Sequence, residues 1–180
     1  VVPCDGHEMT LATEALLNLN GPSYLRLGRM AVDNVTDEMP GYKFELGKGV
    51  TMRDGGDVTV IACGLMVQES LKAADILAAE GISVRVIDMH TIKPLDEALV
   101  LQAAKETGAI VTSEEHSIVG GLGAAVCEYL SQACPVPVVR HGVEDCFGRS
   151  GPAKKVLAAY GLTAEGLAEK VRLAVSLKNR

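Results

Sequence analysis

From residue 57 onward, the apolar positions divide the chain into regular repeats. Short apolar runs rich in β-branched residues occur at 58–63, 84–87, 110–112 and 136–139. The starts of these runs lie 26 residues apart, which is room for a strand, a helix and two short loops. The pattern therefore predicts repeated βαβ units, with parallel strands joined by right-handed crossovers and helices covering the sheet.

Between these runs, apolar residues recur every three or four positions, which is the period of an α-helix. The predicted helical faces consist of Val67, Leu71, Ala74 and Ala78, then Leu95, Leu99 and Ala103, then Leu122, Val126, Tyr129 and Ala133. Two more helices are predicted, one between Pro152 and Gly161 and one that begins after an N-cap at Thr163. Pro135 and Pro137 favour an edge position for the last strand, because proline cannot donate a ladder hydrogen bond.

Residues 1–49 do not follow this repeat. The segments "VVPCD" at 1–5 and "SYLRLGR" at 23–29 predict strands, with a helix from about residue 8 to residue 18 between them. The polar stretch 30–41, which contains Pro40-Gly41, predicts a linker. Two strands and one helix cannot bury both faces of a parallel sheet, so 1–29 is predicted to be the tail of a domain whose remainder is absent.

Composition narrows the classes of protein that the chain can represent. Of 180 residues, 48% are hydrophobic, enough for one sizeable core. The net charge of −6 argues against nucleic acid and anionic membranes as partners, and no apolar run approaches the length of a membrane span. The five cysteines form no C-x-x-C pair and no secretory signal is seen, so we expect reduced thiols in a cytoplasmic protein.

The stretch "TSEEHSIVGGLGAAV" at 112–126 is the first candidate for chemistry. Its glycines precede a predicted helix, and a helix N-terminus can bind an anion. The order of the glycines is neither that of a dinucleotide-binding loop nor that of a P-loop. The interpretation we favour is a tight strand-to-helix turn, in which glycine lets the helix pack close to the sheet.

Three histidines form the second candidate. His90, His116 and His141 each lie close behind a predicted strand, and therefore at the carboxyl edge of the sheet, where α/β proteins bind ligands. Three carboxylates nearby in sequence, Asp88, Glu114 and Glu115, raise the alternative of a metal or acid–base cluster. We favour the alternative that these side chains hydrogen-bond to one another and to loop backbone at a partner interface, because the three histidines lack close motif spacing.

Several segments resemble one family. "VIDMHTIKPLDE" at 86–97, "SEEHSIVGGLGAAV" at 113–126 and "DCFGRSG" at 145–151 resemble the C-terminal domain of transketolases, most closely that of the two-chain type. "PCDGHE" and "GPSYLRLGR" resemble the last two strands of the preceding pyrimidine-binding domain. The resemblance implies that 1–29 is a remnant of that domain, 30–42 a linker and 43–180 the C-terminal domain.

The fold that the resemblance implies is α/β. It is a three-layer α/β/α domain with a mostly parallel five-stranded sheet. One strand, expected within 43–52, is antiparallel to the others.

The resemblance also implies an activity for the complete enzyme. That enzyme would use thiamine diphosphate and Mg²⁺ to transfer a two-carbon ketol unit between sugar phosphates. Its N-terminal part or subunit would be the partner of this chain, in a homo-oligomer. This chain lacks the family's metal-binding G-D-G followed by an asparagine. We therefore expect it to hold no catalytic residue, no metal and no cofactor, and to be inactive alone.

Two relatives of transketolase remain as alternatives, since they share "KPLD" and a glycine-rich turn. They are 1-deoxyxylulose-5-phosphate synthase and the β subunit of 2-oxo-acid dehydrogenases. An alternative of another class is a stand-alone regulatory module that binds an anion or a metal at the histidine edge.

One substrate contact follows from the resemblance. In the family, an arginine at the end of the strand that "SYLRLGR" resembles binds the phosphate of the sugar, and Arg29 is the matching residue. Arg26 is the competitor, and the two-residue period of a strand would place these arginines on opposite faces. The alternative role for Arg29 is a surface ion pair with a carboxylate such as Asp33.

Overall fold

The computed structural model describes residues 1–179, and its centre is a five-stranded sheet. In chain order the strands are β1 (Val50–Arg53), β2 (Val58–Ala62), β3 (Val84–Asp88), β4 (Ile110–Ser117) and β5 (Val138–Val143). Their order across the sheet is β1-β3-β2-β4-β5. β1 pairs with β3 antiparallel, whereas the other three pairings are parallel. The predicted α/β class, with five strands of which one is antiparallel, is confirmed.

Six helices complete the described chain. They are α1 (Gly6–Leu17), α2 (Met66–Ala78), α3 (Glu97–Thr107), α4 (Leu122–Ala133), α5 (Ala153–Ala159) and α6 (Ala164–Lys178). Alternate residues of β2 face opposite layers: Val58 and Val60 pack with α2 and α6, and Ile61 packs with α3 and α4. Because β2 is covered on both faces and flanked by two strands, all five of its residues are buried.

The ends of the helices carry the local signals that the sequence contains. Asp96 caps α3 by accepting a hydrogen bond from the Leu99 N–H at 3.1 Å, and the helix ends at Gly108 in the left-handed conformation. Thr163 caps α6 through the Gly166 N–H, as predicted. β5, which follows Pro135 and Pro137, lies at the edge of the sheet, also as predicted.

The N-terminal segments differ from the prediction. Neither 1–5 nor 23–29 is a β-strand. Two hydrogen bonds join them: the Val1 ammonium donates to the Tyr24 carbonyl at 2.8 Å, and the Arg26 N–H donates to the Val1 carbonyl at 2.9 Å. Val2 also bonds to the backbone of His90 and Gly64. These isolated bonds hold the segments in place, but they do not make the continuous ladder that defines a strand.

The segment predicted as a linker packs against the start of α1. The Asp5 carboxylate accepts hydrogen bonds from the Val35 N–H, the Thr36 N–H and the Thr36 hydroxyl, at 2.7, 2.8 and 2.9 Å. Thr36 is fully buried as a result. Residues 30–42 are therefore fastened to the rest of the chain at their midpoint.

All five cysteines are free thiols. Cys4 and Cys63 are buried, Cys127 and Cys134 are half-buried, and Cys146 is exposed. Burial raises the pKa of the Cys4 and Cys63 thiols above their ordinary value. Across residues 1–179, no helix combines the length and the apolar character needed to cross a membrane.

Candidate functional site

A cleft of about 770 Å³ opens where the N-terminal segments meet the carboxyl edge of the sheet. One wall carries Leu16, Tyr24 and Arg26, and the other carries Lys93-Pro94 and the stretch 114–116. We call this space the edge cleft. It lies where open α/β sheets bind their ligands, because strand ends and helix N-termini converge there.

A side-chain carboxylate of the chain itself already occupies the glycine-rich turn at one side of the edge cleft. Glu114 is 2% exposed, and its two carboxylate oxygens accept hydrogen bonds from the Leu122 N–H and the Gly123 N–H, both at 2.8 Å. These are N–H groups of the first turn of α4, which would otherwise lack partners. A Cβ on Gly121 would lie 2.0 Å from Glu114 Oε2, so glycine is what allows the carboxylate to approach.

This geometry supports the structural interpretation of the turn. An external phosphate would have to displace a buried carboxylate from the same N–H groups. A local signal for this arrangement was present in the sequence, namely a glutamate at the end of a strand just before a glycine-rich helix start. Sequence reasoning grouped Glu114 with the histidines instead.

The three candidate histidines have different surroundings. His90 is fully buried and stacks on Phe44 with ring centroids 4.3 Å apart. The His141 Nε2–H donates to the Gly161 carbonyl, and its Nδ1 accepts from the Ser113 hydroxyl, both at 2.9 Å. Burial lowers the pKa of both rings, so each is held neutral.

His116 is the exposed histidine of the three, and it lines the edge cleft. Its Nδ1–H donates to the Ser117 carbonyl at 2.8 Å, and the same nitrogen lies 3.8 Å from Glu114 Oε2. β4 runs to Ser117 and β5 to Val143, so His116 and His141 lie within strands rather than just after them. The sequence pattern underestimated the length of both strands.

The structure does not bring the histidines into one cluster. Within residues 1–179, the close group of possible metal ligands consists of Cys4, Glu8 and Asp88, and it contains no histidine. Its ligand atoms lie within 4.8 Å of one another and are buried. Sequence reasoning missed this group, because its members come from three separate parts of the chain.

The two candidate arginines lie in different surroundings. Arg26 lines the edge cleft, and its Nη2 donates to the Glu115 carbonyl at 2.9 Å. Arg29 is exposed, and its guanidinium has no hydrogen-bond or ion-pair partner among the described residues. The ion pair with Asp33 considered above is therefore absent from residues 1–179.

The described residues do not fit thiamine diphosphate and its Mg²⁺. The N–H groups at the start of α4 are taken by Glu114. In the buried Cys4–Glu8–Asp88 group, Glu8 already accepts from the Cys4 N–H at 2.7 Å and from the Tyr42 hydroxyl. No step of a reaction on this cofactor is therefore assigned to these side chains.

The fold and the carboxyl-edge motifs are those of a known domain. The model of the family "Transketolase, C-terminal domain" matches residues 47–167. The chain belongs to this family.

Among curated proteins, a subunit of 6-deoxy-6-sulfo-D-fructose transketolase from Clostridium sp. (strain MSTE9) is 43% identical over 180 residues. The match covers 98% of this chain and 54% of that protein. A subunit of apulose-4-phosphate transketolase from Phocaeicola vulgatus is 43% identical over 93% of this chain and 53% of its own length. The chain thus spans about half the length of these relatives.

A solved structure, described as an inactive β4 tetramer of a split-gene transketolase, matches with a TM-score of 0.91. It is 44% identical over 98% of this chain and 57% of its own.

A more distant curated relative, 1-deoxy-D-xylulose-5-phosphate synthase from Syntrophotalea carbinolica, is 38% identical over 96% of this chain and 27% of its own length.

Proposed function

We propose that this chain is the C-terminal part of a thiamine-diphosphate-dependent transketolase, which transfers a two-carbon ketol unit between sugar phosphates. The observation that carries the proposal is the 43% identity, over almost the whole chain, to subunits of two transketolases. In this proposal the chain supplies scaffold, subunit contacts and one substrate contact. The cofactor and the catalytic residues belong to the rest of the enzyme.

The first proposed partner is the N-terminal part or subunit of the same enzyme. The second is further copies of this chain, with which it would form a homo-oligomer. The relatives' descriptions as subunits and the neighbour's description as a tetramer support this arrangement. We also propose a cytoplasmic location, which the five free thiols support.

The direct test is reconstitution. The chain is combined with the N-terminal part of the enzyme, thiamine diphosphate and Mg²⁺, and assayed with ketose phosphate donors and aldose phosphate acceptors. We expect ketol transfer only when both parts are present. Release of carbon dioxide from pyruvate with glyceraldehyde 3-phosphate as acceptor would instead identify a 1-deoxyxylulose-5-phosphate synthase.

We further propose that Arg29 binds the phosphate of the sugar. A guanidinium can donate two parallel hydrogen bonds to a phosphate and stays charged, and that of Arg29 is exposed and unpaired within residues 1–179. In the reconstituted enzyme, Arg29→Ala should lower kcat/KM for phosphorylated donors about 30- to 150-fold, the equivalent of about 2–3 kcal/mol. Unphosphorylated analogues should be affected far less.

Two further variants sharpen the Arg29 test. Arg29→Lys should recover part of the loss, because it keeps the charge without the planar fork. Arg26→Ala tests the competitor, which lines the edge cleft and is bonded to the Glu115 carbonyl; a larger selective loss in Arg26→Ala than in Arg29→Ala would assign the phosphate to Arg26. An equal loss with phosphorylated and unphosphorylated donors would contradict the assignment.

His116 tests the alternative of a regulatory or chemical histidine edge, because it is both exposed and part of the edge cleft. We expect His116→Asn to leave kcat/KM of the reconstituted enzyme within about tenfold, roughly 1.4 kcal/mol. A thousandfold loss with assembly intact would favour a chemical role. Saturable binding of phosphate or Zn²⁺ to the chain alone, abolished by His116→Asn, would favour the module.

A further inference from the structure

Three buried groups meet where the N-terminal segment lies against the end of β3. They are the Cys4 thiol, the Glu8 carboxylate and the Asp88 carboxylate, and we call them the seam cluster. Asp88 is the last residue of β3 and is fully buried, yet neither of its carboxylate oxygens has a hydrogen-bond partner. Buried carboxylate oxygens without partners are costly, so this arrangement requires an explanation.

The charges around Asp88 make its ionised form unfavourable. Cys4, Asp5 and Glu8 face it from the N-terminal segment and α1, Tyr42 contacts Glu8 from the loop before β1, and Cys63 faces it from the end of β2. His90 lies near Glu8 and is held neutral by burial. No lysine or arginine is among the groups that most affect the pKa of Asp88. An ionised Asp88 beside Glu8 would place two like charges in a dry interior.

Glu8, in contrast, is built as a hydrogen-bond acceptor. Its Oε2 accepts from the Cys4 N–H at 2.7 Å, and its Oε1 accepts from the Tyr42 hydroxyl. The first of these bonds ties the chain on the N-terminal side of α1, and the second ties the segment before β1. The Cys4 thiol is only a weak donor, and while both carboxylates are ionised neither can donate to the other, although one oxygen of each lies within 4.8 Å of the other.

We propose that Glu8 and Asp88 share one proton, carried by Asp88, and that this proton fastens residues 1–8 and Tyr42 to the end of β3. The proton removes the like-charge repulsion and gives Asp88 a donor to offer to Glu8. Burial first, and then the negative charge of Glu8, raise the pKa of Asp88 well above its ordinary value of 3.8. The seam cluster is thereby a pH-dependent latch between the N-terminal segment and the sheet.

The sign of the pH dependence follows from proton linkage. The folded chain holds the Asp88 proton at pH values where the unfolded chain has lost it. The stabilisation is complete below the ordinary pKa of 3.8 and is lost as pH rises toward the raised pKa of the folded state. Over that interval, one linked proton changes the unfolding equilibrium constant about tenfold per pH unit.

The main test compares the 180-residue chain with its Asp88→Asn variant by urea unfolding from pH 5 to pH 9. Asparagine cannot ionise but keeps an N–H donor for Glu8. We expect the ratio of the wild-type unfolding constant to that of Asp88→Asn to rise about tenfold per pH unit until the native pKa is passed. The exposed Asp145→Asn should keep the wild-type slope. Identical slopes for wild type and Asp88→Asn would overturn the proposal.

A second measurement needs no variant. Hydrogen exchange of the Cys4 amide, which donates to Glu8, should accelerate with pH by more than the amides of β2 do, because the latch opens before the sheet. Equal acceleration at Cys4 and in β2 would contradict the latch. The remaining alternative is a bound metal, which metal analysis of the purified chain tests. One equivalent of Zn²⁺, removable by a chelator with loss of stability, would overturn the shared proton in favour of a metal site. Neither measurement depends on transketolase activity.

Discussion

At the scale of single residues, Glu114 shows how a candidate for chemistry becomes part of the scaffold. Its carboxylate is buried against the start of α4 and accepts hydrogen bonds from two backbone N–H groups. The favourable interaction between a negative charge and a helix N-terminus, which could have bound a substrate phosphate, is thus used inside the fold.

Removing this carboxylate should destabilise the chain. Glu114→Ala leaves two buried N–H groups without acceptors, and we expect a loss of about 3 kcal/mol in the free energy of unfolding. Glu114→Gln should lose less, because its amide oxygen can still accept one bond. Urea unfolding measures both, with Glu115→Ala as the neighbouring control, expected within about 0.5 kcal/mol of wild type. A Glu114→Ala variant as stable as this control would refute the capping role.

The buried His141 should make the chain sensitive to acid. Its pKa is lowered by burial, so the unfolded chain binds a proton near the ordinary value of 6.5 before the folded chain does. Stability is therefore present above pH 6.5 and is lost as pH falls toward the native pKa. We expect His141→Gln to reduce the slope of stability between pH 7 and pH 5. An unchanged slope in His141→Gln would contradict this account.

At the scale of elements, the turn between β4 and α4 depends on two glycines for different reasons. Gly120 has a φ of 78° and open space around it, whereas a Cβ on Gly121 would meet the Glu114 carboxylate at 2.0 Å. Gly120→Ala should cost about 1–2 kcal/mol of backbone strain. Gly121→Ala should cost more, because the cap must move as well. Thermal unfolding of the two variants measures the difference, and the opposite ranking would show that the cap tolerates displacement.

The elements that the sequence predicted well are those with strong local patterns. The helices on either side of the sheet follow from their apolar period, and the edge position of β5 follows from Pro135 and Pro137. The segments 1–5 and 23–29 have strand-like composition, but a strand also requires a neighbour to pair with, and composition does not provide one. The seam cluster was out of reach for the same reason, since Asp88 is remote in sequence from Cys4 and Glu8.

At the scale of the whole molecule, the chain spans about half the length of the two transketolase subunits described above, and its described residues offer thiamine diphosphate no fitting site. We therefore expect no saturable binding when thiamine diphosphate and Mg²⁺ are titrated into the chain alone in a calorimeter. The reconstituted enzyme is the positive control. Stoichiometric micromolar binding to the chain alone would show that it holds more of the cofactor site than we infer.

Because the cysteines are buried to different degrees, their modification rates can report detachment of the N-terminal segment. Cys146 lies in an exposed loop, whereas Cys4 lies in the seam cluster and has a thiol pKa raised first by burial. A thiol-reactive dye should therefore modify Cys146 in the folded chain at once and Cys4 only after the N-terminal segment detaches. Mass spectrometry can follow the two modifications separately. The delay of Cys4 relative to Cys146 would measure the rate of that detachment without any engineered label.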